Sequence, residues 1–443
     1  MSLATPQHTI WDPRWECADR GTIQREQLAR LQETVAYAYR KVPYYQAKFD
    51  AAGVSPSDIR CLEDIRLLPF TTKQDFRDTY PFGLFAVPSR ELNRIHSSSG
   101  TTGKPTVVGY TKNDLNTWSD LLARVVSQAG VNEGDIAQVS FGYGMFTGGF
   151  GLHLGLERVG AAVVPLSSGN TERQLMFMVD FQSSALISTP SYAAYLAEQV
   201  KDRGLKLGED IHLRWGLFGA EPWTEGMRHR IEESLGLSAT DNYGMSELCG
   251  PGVSGECAIA KDGMHIAEDL FIWEVLDPMT EAPVAEGEIG ELVVTPLWKE
   301  ALPVVRYRTR DLTAIHTQPC RCGRTSARMS RVKGRTDDML IIRGVNIFPT
   351  QVEHILMETE GTSPHYLLVV TREGSLDSLE VWVEISEQMF SERMSKMTDL
   401  QTLLAKKIHT VIGISAKVKL VEPQTLERSQ GKAKRVLDKR NIE

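Results

Sequence analysis

SSSGTTGKPT, the stretch from Ser97 to Thr106, decides the fold predicted for this sequence. It carries five hydroxyl side chains in its first six positions, together with two glycines and one lysine. Glycines let a backbone approach a ligand closely, and exposed N–H groups, hydroxyls and an ammonium group can together surround a phosphate. The stretch is not a Walker P-loop, because only two residues separate its glycines. A flexible polar turn is the alternative interpretation.

The composition is that of an ordinary globular protein. The chain has 443 residues, of which 42% are hydrophobic and 24% charged, which predicts two or three domains. A net charge of −8 argues against nucleic-acid binding. The sequence has neither an apolar run long enough for a membrane span nor a signal-peptide pattern. Six cysteines are too few for a disulfide framework. We therefore expect a cytoplasmic protein with small-molecule partners.

The hydrophobic pattern predicts an α/β fold. Apolar runs at 137–141, 161–166 and 184–188 are separated by helix-length segments, which is typical of strand–helix units and a largely parallel sheet. From Phe271 onward, apolar and polar residues alternate, which predicts an antiparallel segment. The end of the chain predicts a small α+β unit with two strands and a helix over 398–412. We expect domains at 1–336 and 337–443, joined by a hinge at 335–338.

Further motifs follow, each a weak signal when taken alone. In DNYGMSE, 241–247, an aromatic ring beside a glycine can lie on a base, and Glu247 can face a metal-bound phosphate. RYRTRD ends in Asp311, a carboxylate that can accept both hydroxyls of a ribose. GRTDDMLIIRGVNIFPTQVE, 334–353, joins a polar turn to a hydrophobic strand. LERSQGKAKRVLDKR places Lys432 in a polar loop, for which a solvated tail is the alternative.

Taken together and in this order, the motifs resemble those of the adenylate-forming ligases, the superfamily of acyl-CoA synthetases, luciferases and peptide-synthetase adenylation domains. The resemblance runs from residue 97 to residue 435. FGYGMFTGGFGLHLGLERVGAAVVP, SGNTERQ and LFGAEPW are most similar to the phenylacetate-CoA ligase branch. The resemblance implies an α/β fold with two domains. The N-terminal adenylate-forming domain is large, with parallel or mixed sheets and an antiparallel segment, and the C-terminal α+β domain is small and mobile.

The resemblance also implies a reaction. An aryl or arylacetic acid, with phenylacetate as the first candidate, is activated by ATP and Mg²⁺ to an acyl-adenylate and releases pyrophosphate. The acyl group then passes to coenzyme A and AMP leaves. The alternatives are an adenylating enzyme that loads a carrier protein in trans and a non-catalytic nucleotide-binding homologue. Relatives of this kind also suggest a homodimer.

Site residues follow from the resemblance motif by motif. The phosphate-loop residues are Ser97, Ser98, Ser99, Gly100, Thr101, Thr102, Gly103 and Lys104. The nucleotide residues are Gly219, Ala220, Glu221, Asp241, Tyr243, Gly244 and Ser246, with Asp311 and Arg335 for the ribose. Lys432 is the adenylation lysine, and Glu247 is the catalytic carboxylate that reaches Mg²⁺. Asp337 is the hinge residue, and Gly344 belongs to the loop that faces the thioester-forming site.

The acid pocket is predicted around Phe141, Tyr143, Phe146 and Gly148. Aromatic rings supply flat walls for an aryl group, and glycine leaves room for it. The alternative is a strand end packed into the core. The identity of the acid stays open.

A structural zinc site is predicted at Cys257, His265, Cys320 and Cys322. Three thiolates and one imidazole form a closed tetrahedral ligand set, which is the form of a structural zinc site. The Cys-x-Cys spacing is tighter than the usual Cys-x2-Cys, so unrelated buried thiols are the alternative. A closed set leaves no coordination position for a substrate.

Overall fold

The computed structural model describes residues 10–98, 105–336, 340–342, 345–373, 376–390, 394–428 and 433–440. The predicted site residues outside these ranges are Ser99, Gly100, Thr101, Thr102, Gly103, Lys104, Asp337, Gly344 and Lys432. The chain divides into two compact units. The first unit comprises Met1–Ser188, Asp210–Ala220 and Leu237–Arg331; the second comprises Thr189–Glu209, Glu221–Gly236 and Val332–Glu443.

Helices occur throughout the chain. The α-helices are α1 Pro13–Glu16, α2 Arg20–Lys41, α3 Pro43–Ala52, α4 Lys73–Asp78, α5 Lys112–Gln128, α6 Thr147–Arg158, α7 Thr171–Asp180, α8 Pro190–Asp202, α9 Glu225–Leu235, α10 Pro349–Met357, α11 Glu387–Phe390 and α12 Met394–Ile412. Short 3₁₀ helices lie at Pro56–Asp58, Leu62–Leu67 and Ser89–Glu91. None of the helices in the described part of the chain has the length and apolarity needed to cross a bilayer.

The strands of the first unit are β1 Arg94–Ser97, β2 Val107–Tyr110, β3 Ile136–Val139, β4 Ala162–Val164, β5 Ala185–Ser188, β6 Trp215–Gly219, β7 Ser238–Met245, β8 Gly250–Glu256, β9 Met264–Ile266, β10 Phe271–Leu276, β11 Gly290–Pro296, β12 Tyr307–Thr313, β13 Ile315–His316 and β14 Arg328–Met329. Those of the second unit are β15 Gly334–Arg335, β16 Leu340–Ile342, β17 Val345–Ile347, β18 Thr362–Glu373, β19 Leu376–Ile385, β20 Lys417–Val421 and β21 Val436–Asp438.

A large mixed sheet forms the centre of the first unit. Strands β4, β3, β5, β6 and β7 lie side by side in that order and are parallel. The sheet continues through β8, β9, β14 and β13, which pair antiparallel. Every residue of β5 and β6 is buried, which explains why such strands are continuous apolar runs rather than alternating ones. The predicted parallel sheet is confirmed, because β3, β4 and β5 lie on the three apolar runs.

Helices α5 and α6 pack closely beside this sheet. A Cβ atom added at Gly155 would lie 2.6 Å from the Cβ atom of Leu122, so only glycine permits this approach. Helix α5 begins with a capping box, in which Thr111 and Asp114 each accept the other's backbone N–H. Helix α6 begins at Thr147, inside the segment predicted to form the acid pocket, so the packing of α6 fixes one side of that segment.

An antiparallel sheet of β10, β11 and β12 completes the first unit and confirms the antiparallel prediction. Burial alternates along β12, with Tyr307, Thr309 and Asp311 inward. Near the N-terminus, helix α2 is amphipathic, and its residues Leu31, Val35 and Ala38 are fully buried.

The second unit is built on a mixed sheet. Strands β18 and β19 are antiparallel, β21 runs parallel to β18, and β20 runs parallel to β19. The apolar faces of α10 and α12 cover this sheet. Gly413 follows α12 with φ of +81°, as expected for a glycine that ends a helix. This α+β unit also contains α8 and α9 from the middle of the chain. The domain boundary expected at 336/337 stays a prediction.

Candidate active site and cysteine–histidine cluster

The ends of the predicted phosphate loop are joined to each other. Strands β1 and β2 pair antiparallel up to Ser97 and Val107. Beyond them, the Ser98 N–H donates to the Thr106 carbonyl oxygen at 3.0 Å. The Thr106 N–H donates to Ser98 Oγ, also at 3.0 Å. The hairpin therefore continues to Ser98 and Thr106, which close the base of the loop.

The base of the predicted phosphate loop contacts the predicted magnesium carboxylate. The Thr106 hydroxyl donates to Glu247 Oε1 at 3.2 Å. Glu247 is only 5% exposed, and it lies in the turn between β7 and β8. A buried carboxylate next to a hydroxyl offers the hard oxygen ligands that Mg²⁺ prefers, so these residues fit that ion.

The YGMSE motif lies where β7 reaches its end. A Cβ atom at Gly244 would lie 2.1 Å from the carbonyl oxygen of Gly250, so only glycine fits at this position. The register between β7 and β8 shifts between Tyr243 and Gly244. Beyond that shift, the Ser246 Oγ lies 3.2 Å from the Thr147 Oγ1. This contact joins the nucleotide motif to the first residue of α6.

The residues predicted for adenine and ribose contact each other. The Tyr243 hydroxyl donates to Asp311 Oδ2 at 2.5 Å, and Asp311 is 5% exposed. A hydrogen bond to an ionised acceptor is short and strong, so it holds the tyrosine ring against the β12 carboxylate. Asp241 forms an ion pair with Arg331 at 3.6 Å, and its N–H donates to Glu256.

Predicted residues of the GAEP segment fall in both units. Gly219 ends β6, and Ala220 follows with φ of +71°, a left-handed conformation that is costly for any residue with a Cβ atom. The side chain of Glu221 accepts hydrogen bonds from backbone N–H groups of the second unit. Arg335 lies on β15, also in the second unit.

The predicted acid pocket is partly aromatic and partly exposed. Phe141 and Tyr143 are half-buried, whereas Phe146 is 49% exposed. The Tyr143 ring packs perpendicular to Phe150 with centroids 5.1 Å apart, and its hydroxyl lies 3.0 Å from His153 Nδ1. Burial raises the pKa of Tyr143, and the nearby Glu157 adds to the shift, so its phenol stays protonated.

This segment also contacts β1. The Ser97 N–H donates to the carbonyl oxygen of Met145 at 3.0 Å, directly before Phe146. Gly148 lies near the ring of Phe141, since an added Cβ atom would be 3.8 Å from the ring. The structure therefore brings the predicted acid pocket beside β1, the strand that leads into the predicted phosphate loop.

The four predicted zinc ligands come together in the first unit. One ligand atom from each of Cys257, His265, Cys320 and Cys322 lies within 4.8 Å of the other three, and all four residues are buried. The sulfurs of Cys257 and Cys320 are 3.8 Å apart, and Cys322 Sγ is 3.4 Å from His265 Nε2. Zn–S bonds of about 2.3 Å in a tetrahedron place sulfurs about 3.8 Å apart. These residues fit the ion.

Neighbouring side chains support this cluster. His265 Nδ1 lies 3.0 Å from Ser326 Oγ, as expected where a second hydrogen bond orients a metal-binding imidazole. Arg324 donates to Cys322 Sγ at 3.6 Å and forms an ion pair with Glu16 at 2.5 Å. Hydrogen bonds from Cys257 and His265 lower the pKa of Cys322, which favours the thiolate that binds metals.

Several contact residues were not predicted from the sequence. They are Thr147 and Arg331 beside the nucleotide motif, Phe150 and His153 beside the acid pocket, and Glu16, Arg324 and Ser326 around the cysteines. Arg324 and Ser326 follow Cys322 closely, so sequence proximity was an available signal for them. For Arg331 and Glu16 no such signal exists, because their partners lie far away in sequence.

The fold and the site define an AMP-binding enzyme. The family model described as AMP-binding enzyme matches residues 82–296, and the model for the AMP-binding enzyme C-terminal domain matches residues 344–440. The 2-hydroxyisobutyryl-CoA ligase in the postadenylation state superimposes with a TM-score of 0.92 and 31% identity, over 98% of this chain and 93% of that one. In its thioesterification state, in complex with 2-HIB-AMP and CoA, the TM-score is 0.73 over 99% and 94%.

Curated relatives narrow the class further. The phenylacetate-coenzyme A ligase of Thermus thermophilus is 48% identical over 97% of this chain and 100% of its own length. The enzyme of that name from Escherichia coli is 50% identical over 96% of this chain and 97% of its own. The chain therefore belongs to the AMP-binding enzyme family and, within it, to the phenylacetate-coenzyme A ligases, which are AMP-forming acid–thiol ligases.

Proposed function

We propose that this protein activates an aryl acid, phenylacetate first among them, with ATP and transfers the acyl group to coenzyme A. The observation that carries the proposal is that four phenylacetate-coenzyme A ligases are 46–50% identical over 96–99% of this chain. The Thr106–Glu247 and Tyr243–Asp311 hydrogen bonds support it, because each of them joins two of the predicted motifs that lie far apart in the sequence.

In the first step the acid's carboxylate oxygen bonds to the α-phosphorus of ATP, and the bond to pyrophosphate breaks. In-line positioning and neutralisation of charge on the phosphates lower the barrier. Ser97 and Ser98, at the base of the loop, would bind phosphate oxygens. Asp311 would accept the ribose hydroxyls, and Tyr243 would lie beside the base. Glu247 and Thr106 would hold Mg²⁺, which supplies positive charge to the phosphates when bound.

Lys432 would bridge the carboxylate and the α-phosphate in that step. We expect Lys432→Ala to slow adenylation by about 10²–10³-fold, because a charge stabiliser of the transition state is lost. Thioester formation from supplied aryl-AMP should be affected far less. Lys434→Ala is the matched control, since Lys434 is exposed and lies two residues away. Equal losses in both half-reactions would contradict this role.

The substrate is tested by incubating the protein with ATP, Mg²⁺ and a panel of acids, with and without coenzyme A. The panel contains phenylacetate, hydroxyphenylacetates, benzoates, indoleacetate and short fatty acids. We expect pyrophosphate release that requires an aryl acid, and AMP with a CoA thioester only when coenzyme A is present. Acid-dependent pyrophosphate exchange that ignores coenzyme A would favour loading of a carrier protein in trans. If no acid of the panel causes release of pyrophosphate or AMP, a non-catalytic nucleotide-binding homologue would be favoured.

The second step requires the thiolate of coenzyme A to attack the acyl carbonyl while AMP leaves. We propose that residues 337–443 move about a hinge at Asp337, which brings the loop of Gly344 to the thioester-forming site. Asp337→Pro should block this exchange, because proline fixes φ near −65°. Overall turnover should fall while adenylation is retained. Unaltered turnover would exclude the hinge.

Zinc at Cys257, His265, Cys320 and Cys322 would be structural, because four protein ligands complete a tetrahedron. The convergence of the four ligand atoms supports this assignment. Such a centre needs reduced thiols, which agrees with the cytoplasmic location predicted from the sequence. The homodimer also stays a prediction, and light scattering of the purified protein tests it.

A further inference from the structure

Glu221 connects separate parts of the second unit through its carboxylate. Its Oε1 accepts the N–H of Ser191 at 2.7 Å, and its Oε2 accepts the N–H of Ala433 at 2.8 Å. Ser191 lies in the first turn of α8, where backbone N–H groups have no partner within the helix. The positive end of the helix dipole therefore favours the carboxylate at this position. Ala433 is the residue directly after Lys432.

Both partners of the Glu221 side chain are backbone N–H donors, so the side chain at this position must supply two acceptor oxygens. A carboxylate has an acceptor oxygen for each N–H, and hydrogen bonds to an ionised acceptor are stronger than neutral ones. A glutamine would offer one oxygen and one NH₂ group, so one of the two N–H groups would face another donor. The arrangement thus requires the charge of Glu221 and not only its shape.

The chain on both sides of Lys432 is held by carboxylates of the second unit. Before it, Glu384 accepts the N–H groups of Gln424 and Leu426 and pairs with Arg428. After it, Arg435 lies 3.8 Å from Glu353, and β21 continues by pairing with β18. Glu221 acts closest to the lysine among these contacts, because Ala433 is its immediate neighbour in the chain.

We propose that Glu221 is a positioning residue for adenylation, which holds the backbone at Ala433 and thereby sets where Lys432 is presented. The inference rests on the proposed function, in which Lys432 is the adenylation lysine. It gives the side chain of Glu221 a role separate from the adenine pocket expected for the GAEP segment. It also predicts that the two half-reactions differ in their need for Glu221.

Glu221→Gln is the variant that tests the proposal. We expect adenylation, measured as acid-dependent pyrophosphate release, to slow by about 10–100-fold, the effect of losing a hydrogen bond to a charged group. Thioester formation from supplied aryl-AMP and coenzyme A should stay within about 2-fold of the unmodified protein. Amide hydrogen exchange at Ala433 and at Ser191 should accelerate, because both N–H groups lose a charged acceptor.

Glu225→Gln is the matched control, because it makes the same substitution in the same segment. Its side chain is 60% exposed and pairs with Arg228 at 3.4 Å. It should change neither the half-reactions nor the exchange at Ala433. The proposal is overturned if Glu221→Gln slows both half-reactions equally, slows neither, or leaves the exchange at Ala433 unchanged. If the unmodified protein releases no pyrophosphate with any acid, the proposed function is wrong. The hydrogen-exchange rates would still decide whether Glu221 holds Ala433.

Discussion

Two polar clusters of the first unit are built in opposite ways. In the nucleotide cluster, which comprises Thr106, Tyr243, Glu247 and Asp311, side chains meet in pairs through single hydrogen bonds. In the cysteine–histidine cluster, which comprises Cys257, His265, Cys320 and Cys322, four ligand atoms converge within 4.8 Å. Side chains that are joined in pairs keep acceptor capacity for a substrate that binds and dissociates, whereas four converging ligand atoms can be satisfied by one bound ion. We therefore expect the nucleotide cluster to control the turnover rate and the cysteine–histidine cluster to control the stability of the fold.

The largest effect should come from the cysteine–histidine cluster. Cys322→Ser removes one of the four proposed zinc ligands, and binding of a structural zinc ion is linked directly to folding. We expect the free energy of unfolding to fall by more than about 4 kcal/mol, beyond the range of ordinary substitutions. Zinc content, measured on the purified protein by atomic absorption, should fall in parallel.

The matched control for this variant is Cys61→Ser, since Cys61 is exposed and outside the cluster. It should leave both the melting temperature and the metal content unchanged. The distinction between the two clusters would fail if the unmodified protein purifies without metal and the Cys322→Ser variant is as stable as the Cys61→Ser variant.

The next largest effect should be Glu247→Gln in the nucleotide cluster. We expect kcat to fall by about 10²–10³-fold, because the proposed magnesium site loses its charged ligand. The melting temperature should change little, since glutamine keeps an acceptor for the Thr106 hydroxyl. Activity measured against Mg²⁺ concentration should show a weaker apparent affinity. An unchanged Mg²⁺ dependence would argue that Glu247 is structural, and the contrast between the clusters would then fail.

The smallest effect should be Tyr243→Phe. This variant loses the hydroxyl that donates to Asp311, so the carboxylate is positioned less well for a ribose. We expect the KM for ATP to rise about 3–10-fold with kcat nearly unchanged, as for one hydrogen bond of about 1 kcal/mol. Tyr39→Phe is the control, because it removes a tyrosine–aspartate hydrogen bond of 2.8 Å at an exposed site. If both variants change the KM for ATP equally, Tyr243 has no specific role in nucleotide binding.

Much of the fold could be predicted because burial leaves a pattern in the sequence. The parallel strands β3 and β5 are apolar runs because they are buried on both faces, and Gly413 marks the end of α12. The inclusion of α8 and α9 in the second unit could not be predicted, since it depends on packing between segments far apart in the chain.

The site was predicted as a set of motifs but not as a set of contacts. The sequence places Tyr243 and Asp311 in separate motifs, and their hydrogen bond depends on how the strands are arranged in space. Thr106 and Glu247 meet across 141 residues, and no local pattern encodes such a pair. Arg324 acts on Cys322 from two residues away, but its partner Glu16 lies at the other end of the chain.

The joined base of the predicted phosphate loop has a consequence for entropy. Closing a loop costs conformational freedom that grows with its length. Here the Ser98–Thr106 hydrogen bonds bring the two ends together when β1 pairs with β2. The entropy of closing the loop is therefore lost during folding and not during nucleotide binding. Doubling a loop's length adds only about 0.6 kcal/mol to this cost. Nucleotide binding therefore does not have to supply the free energy of bringing these two ends together, whatever the length of the segment between them.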